Sequence, residues 1–214
     1  MADLPGALRD DPQAAVTFLT TEHFALQSAR SATTFETSAR ATVFLSSVSA
    51  GLVALAFAGQ TSRTALYTFG LVLFPVLCFL GLLTFERALQ ASIDDTNFLL
   101  RINRIRRFYV EAAPQLAPYL AQPAAGDDMA EVLRTEGFQP GRWQLMLSIV
   151  GALGVITSVL FGVTGGLAVA ALTGGDLWVA TPVGVVVFAI AVPLHQRYQQ
   201  TRRLRAHDLF TGPG

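Results

Sequence analysis

Four stretches of this chain carry no charged residue, and each is long enough to cross a lipid bilayer. Residues 41–62 lie between Arg40 and Arg63, 64–85 between Arg63 and Glu86, 143–175 between Arg142 and Asp176, and 177–196 between Asp176 and Arg197. A helix needs about 20 apolar residues to span a hydrocarbon core about 30 Å thick. Within that core the backbone must satisfy its own hydrogen bonds, so each stretch is expected to be helical. The spans are placed at 41–58, 65–85, 144–172 and 177–194. Composition agrees with that reading: 14% of residues are charged, 52% are hydrophobic and mean hydropathy is +0.47, against about a quarter charged in soluble domains.

Arginine placement fixes an expected orientation. Arg9, Arg30 and Arg40 precede the first span, seven arginines from Arg87 to Arg142 lie between the second and third, and Arg197, Arg202, Arg203 and Arg205 follow the fourth. Only Arg63 falls on the opposite side, so the positive-inside rule puts both termini and the central segment in the cytoplasm. Tyr67 and Trp178 would then mark the outer interface, and Trp143 and Tyr198 the inner one. The acidic N-terminus lacks the basic and apolar regions of a signal peptide, so the first span is expected to stay in the mature protein. Every basic residue is arginine. With the richness in alanine and glycine, this points to a high-GC bacterial coding bias and hence to a bacterial plasma membrane.

Small residues predict where helices touch. Without a hydrophobic drive between helices in lipid, close backbone approach matters most, and rows of small residues permit it. The third span carries Gly154, Ser158, Gly162, Gly166, Ala170 and Gly174 four residues apart; the first carries Ser46, Ala50, Ala54 and Ala58 at the same spacing. These rows predict that the first and third helices are interior or interface helices, and that the bulkier second and fourth face lipid. Either row serves packing within one chain or a seam between copies. Pro75 and Pro193 each remove a backbone hydrogen bond within a span, and the long third window leaves a break at Gly165-Gly166 open.

About half the chain is expected in the cytoplasm. Residues 13–40 and 86–112 contain neither proline nor glycine and continue the first two spans, with Leu89, Ile93, Phe98, Ile102, Ile105 and Tyr109 at helical intervals. The expectation is an all-α, four-helix transmembrane bundle whose helices extend into a cytoplasmic stalk. Its segments are an N-terminal helix (1–40), a first transmembrane hairpin (41–85), a cytoplasmic helical region (86–142), a second transmembrane hairpin (143–194) and a tail (195–214). Residues 115–126 read as a loop, followed by a short helix from Asp127 to about Glu136 with acids in its first turn.

The search for chemistry leads elsewhere than to catalysis. No span holds an acidic or basic residue near its centre, which argues against proton-coupled transport. Metal, phosphate-loop, dithiol and serine-hydrolase signatures are all missing, so no catalytic residue, no cofactor and no metal site is expected, and the chain is read as not an enzyme. The lone Cys78 reads as a small hydrophobe, and His195 as interfacial packing. Arg101, Arg104 and Arg107 recur every three residues and share a helical stripe. Arg101 lies fifteen residues beyond Glu86, about 22 Å along a straight helix, which exceeds a Debye length of about 8 Å. The stripe therefore reads as solvated surface and topology signal, as a site for a protein partner or phosphate-bearing ligand, or, if the helix bends onto the bilayer, as a contact for anionic lipid.

Residues 21–60, beginning TEHFALQSARSATTFETSARATVF, and residues 101–109, RINRIRRFY, resemble uncharacterised four-span membrane proteins of actinobacteria. The layout of helix, two-span hairpin and helix is similar to the two-span effector modules of nucleotide-signalled bacterial defence systems. The resemblance implies a membrane effector. Together these readings predict a non-enzymatic, self-associating membrane protein whose cytoplasmic helices meet a partner, a regulated pore being its sharpest form. Its expected partners are the bilayer, further copies of itself, and a cytoplasmic protein or phosphate-bearing ligand, with no nucleic acid. The competing expectation is a permease subunit with a midplane cavity, or a membrane enzyme with polar side chains converging at the inner face, Arg101, Arg104 or His195 among them.

Overall fold

The computed structural model describes residues 12–119, 131, 132, 134 and 146–211, and among these it contains four long helices and no strand. They are α1 (Pro12–Thr61), α2 (Arg63–Ala112), α3 (Ile149–Leu172) and α4 (Leu177–Thr211). All four are long and apolar enough to cross a membrane, so the chain is an all-α, multi-pass membrane protein.

Each connection between helices follows from local chemistry. α1 and α2 are separated by Ser62 alone; its Oγ accepts the Ala65 N–H at 3.0 Å and caps α2. Ser148 likewise caps α3, accepting from the Gly151 N–H at 3.1 Å. α3 runs unbroken through Gly165-Gly166 and ends at Leu172. Gly174 (φ 70°) and Gly175 (φ 98°) then take left-handed conformations open to glycine. The Gly175 N–H returns to the Ala170 carbonyl at 2.7 Å, and Asp176 Oδ1 accepts from the Trp178 N–H at 2.9 Å to start α4. α2 stops at Ala112 because Pro114 disfavours a helical residue before it. A 3-10 helix occupies 114–119, where a loop was expected from 115 onward. Pro114 and Pro118 hold φ near the value that helix needs, about −65°. The helix expected over 127–136 falls mostly outside the described residues, of which 131, 132 and 134 are helical.

The chain divides into two compact units. The first comprises Met1–Glu36 and Ala91–Gly141, the second Thr37–Gln90 and Arg142–Gly214. In the first unit, Leu26, Ile102 and Ile105 form a buried cluster sealed by Leu19, Phe98 and Tyr109. Arg30 Nε donates to Asp95 Oδ1 at 2.7 Å, and Thr20 and Tyr109 hydroxyls meet at 3.3 Å. Residues early in α1 thus pair with residues late in α2, which makes the two segments antiparallel.

In the second unit α2 shares the interior with α3, contrary to the expectation that it faces lipid. Phe74, Leu77, Cys78, Phe85, Ala88 and Leu89 are all buried. A Cβ on Gly51 of α1 would meet Leu73 at 3.2 Å, and one on Gly81 of α2 would meet Thr157 Oγ1 of α3 at 2.7 Å and Phe44 of α1 at 3.1 Å. α2 also reaches α4 through Phe85 and His195, whose rings meet edge to face at 5.0 Å. The most apolar windows of α2 and α3 are each 28% buried, against 11% for α1 and 6% for α4. A small-residue row marks where one backbone can approach another; which helix has neighbours on several sides is a property of the assembled bundle.

Hydroxyls in these helices turn back on the preceding turn. Thr42 donates to the Ser38 carbonyl at 2.9 Å, Ser47 to Val43 at 2.8 Å, Thr84 to Leu80 at 2.8 Å and Thr164 to Leu160 at 2.6 Å. The arrangement is the i−4 back-bond that lets serine and threonine sit within helices.

Candidate functional site

Two features of the second unit combine geometry with chemistry: the glycine contact between α3 and α4, and a cavity of mixed polar and apolar lining between the same helices. A Cβ on Gly162 would stand 2.7 Å from the Gly184 carbonyl oxygen, and one on Gly184 would stand 2.8 Å from the Gly162 oxygen. Real Cβ atoms do not approach that closely, so both positions require glycine for the backbones to touch. Gly166 repeats the contact one turn on, against the Ala180 oxygen at 3.2 Å. The third-span row is thus occupied within one chain. The first-span row is not: Ser46, Ala50 and Ala54 are exposed and Ala58 half-buried, while the packed side of α1 is that of Phe44 and Gly51.

The cavity has a volume of 310 Å³ and is lined by Phe85 of α2, Gly151, Gly154 and Val155 of α3, and His195 and Gln199 of α4, among others. Gly154 lets α4 come close, since a Cβ there would meet Phe85 at 3.2 Å and the His195 Cβ at 3.4 Å. His195 Nδ1 lies 3.1 Å from Ser158 Oγ and 3.0 Å from the Ala191 carbonyl. A carbonyl only accepts, so Nδ1 carries the proton. Ser158 gives its own proton to the Gly154 carbonyl at 2.7 Å and therefore receives from His195. In the neutral ring Nε2 is then a bare acceptor; it is buried and has no partner, as is the Gln199 Nε2–H group. No charged side chain lines the cavity among the described residues. Beside it, Arg202 reaches Glu86 at 2.8 Å and lies over the Tyr198 ring at 5.9 Å.

Of the residues singled out in the sequence, Gly154 and His195 line this cavity and Ser158 hydrogen-bonds to His195, which packing alone did not anticipate. The signal was the glutamine-rich stretch HQRYQQ (195–200) directly after an apolar span. The arginine stripe lies in the other unit: Arg101 and Arg104 are exposed, and Arg107 is half-buried and 3.8 Å from Glu111. Nearby, burial pushes the His23 imidazole below its ordinary pKa and Arg106 acts in the same direction, so at neutral pH that ring adds no charge to the stripe. Cys78 is buried, with its Sγ 3.4 Å from Thr164 Oγ1. Trp143 and Arg142 lie outside the described residues, and no group of three metal-ligating side chains occurs among the described ones. In comparisons with protein-family models, curated proteins and solved structures, no match to this chain is found.

Proposed function

We infer that this chain is a non-enzymatic, self-associating protein of a bacterial plasma membrane, with its first unit in the cytoplasm and the first span as the seam between copies. One observation carries the reading. Of two small-residue rows, the one on α3 is used within the chain, whereas Ser46, Ala50 and Ala54 on α1 are exposed. Small residues on a lipid-facing surface forgo the close packing they permit. The direction of the Ser158–His195 hydrogen bond supports a non-enzymatic role, because a serine that receives from histidine is not activated as a nucleophile. The exposed Arg101 and Arg104 suit a protein partner or a phosphate-bearing ligand.

The seam is tested by the double substitution Ala50→Leu and Ala54→Leu. Leucine is harmless against lipid but holds two backbones apart. The wild-type protein is expected to sediment as a multimer in mild detergent and the variant as a monomer of 22.9 kDa plus bound detergent. A monomeric wild type, or a variant of unchanged mass, would refute the seam. Orientation has its own measurement. A cysteine at Thr61, in a background with Cys78→Ala, is expected to label from outside intact cells and one at Ala124 is not; the reverse pattern would invert the topology.

A further inference from the structure

The glycine contact between α3 and α4 leaves a trough on the lipid-facing wall of the bundle. Gly166 and Gly184 have no side chains to fill it, and the exposed Val159, Val163 and Val185 rise beside them. The trough has a volume of 500 Å³ and runs from Ala170 to Val159 along α3 and from Leu177 to Phe188 along α4. Each stretch rises about 16 Å, close to half of a hydrocarbon core about 30 Å thick. The trough is therefore as long as the chain region of one leaflet.

Three hydrogen-bond donors stand at one end of it, the end where α1 meets α2. Tyr67 and Thr181 line the trough, and Arg63 lies one turn before Tyr67 on α2. The Tyr67 hydroxyl and the Arg63 guanidinium converge on Gly175, in the turn that leads into Leu177: a Cβ there would lie 3.1 Å from Tyr67 Oη and 3.7 Å from Arg63 Nη1. Neither they nor the Thr181 hydroxyl makes a hydrogen bond or ion pair among the described residues. Thr181 thus differs from Thr42, Thr84 and Thr164, which all bond back to a carbonyl. Asp176, the acid of the same turn, accepts at Oδ1 from the Trp178 N–H and pairs with no arginine, so Arg63 is available.

We propose that the trough binds one phospholipid of the leaflet at this end. An acyl chain lies along the glycines, the phosphodiester meets Arg63 and Tyr67, and the ester carbonyl of the chain meets Thr181, one turn inward of Leu177. Phosphate and ester oxygens only accept, and the three protein groups can all donate. The chain supplies the dispersion contacts that an unfilled trough lacks. A helix of a second copy, apolar at this depth, would fill the trough but leave the donors unmet.

The full chain in detergent is titrated with dioleoyl phosphatidylglycerol, whose phosphate is its only charge, and with dioleoylglycerol, which lacks the phosphate. Native mass spectrometry counts the bound lipid. The phospholipid is expected to saturate at one per chain and to bind about tenfold tighter than dioleoylglycerol. Arg63→Gln should weaken phosphatidylglycerol about tenfold, the effect of one lost charge-assisted hydrogen bond, and leave dioleoylglycerol unchanged. Arg197→Gln, at the other end of the fourth span, should change neither. Val185→Trp fills the trough from an exposed position and should abolish the saturable site without lowering the thermal midpoint. The proposal is overturned if no site saturates, if Arg63→Gln binds phosphatidylglycerol as tightly as wild type, if Arg197→Gln weakens it equally, or if Val185→Trp still saturates. A wild-type multimer that Val185→Trp dissociates would assign the trough to a second copy and overturn it as well.

Discussion

Gly162→Leu is expected to collapse the second unit's stability, while Val163→Leu, one residue round the same helix, leaves it intact. The Gly162 Cα faces the Gly184 carbonyl, which even a single Cβ would approach to 2.7 Å, with Phe188 Cβ at 3.0 Å behind it. Backbone cannot rotate away as a side-chain tip can, so α3 and α4 must separate along the contact. Overpacking of this kind costs about 1–3 kcal/mol and sometimes more, and here the lost contact includes Gly166 against Ala180 one turn on. Val163 is 41% exposed, and a surface exchange of one apolar side chain for another stays within about 0.5 kcal/mol. Thermal unfolding in detergent, followed by exposure of Cys78 to a thiol reagent, reads both variants. Equal midpoints would mean that α3 and α4 do not meet at this glycine.

The first unit offers a second large effect from two neighbouring residues. Ile102 is fully buried against Leu26 and Ile105, whereas Arg101 and Arg104 beside it are exposed. Ile102→Ala removes buried methyl and methylene groups and leaves a cavity, at a cost of about 2–5 kcal/mol. Arg101→Gln with Arg104→Gln keeps helix propensity, since glutamine forms helices about as well as arginine, and is expected to leave folding unchanged. Limited proteolysis separates them: rapid cleavage within residues 91–119 for Ile102→Ala, wild-type kinetics for the arginine variant. Should the arginine variant fold normally yet lose retention of a cytoplasmic partner, the stripe is a recognition surface; wild-type behaviour throughout would make it solvated surface alone.

The architecture was legible because bilayer thickness imposes a single length on apolar helices, and because the charges at Arg40, Arg63, Glu86, Arg142, Asp176 and Arg197 bound the windows. The Gly162 row pointed to a close contact for an equally direct reason, since only glycine permits it. The partner of that row was not legible, because Gly184 is the lone glycine on α4 and only Ala180 accompanies it at the four-residue spacing. The interior position of α2 was not legible either. It depends on Leu89 and Phe74 having neighbours on several sides, which no periodicity along one helix encodes. The cavity was missed for a related reason: Ser158 and His195 are 37 residues apart, and each alone has an ordinary explanation. The close approach of α4 to α3 at Gly154 brings them together.

The back-bonded hydroxyls of Thr42, Ser47 and Thr84 change what the surrounding lipid meets. A hydroxyl whose hydrogen already points at the carbonyl one turn earlier offers its surroundings only oxygen lone pairs, and hydrocarbon has no donor to seek them. To an acyl chain such a threonine is close in character to valine, so the outer wall of the bundle is oilier than its letters suggest. The same wiring closes a route to mismatched assembly. Two helices pressed together at these three positions find no free O–H with which to latch, and there only surfaces that fit in shape gain by staying together.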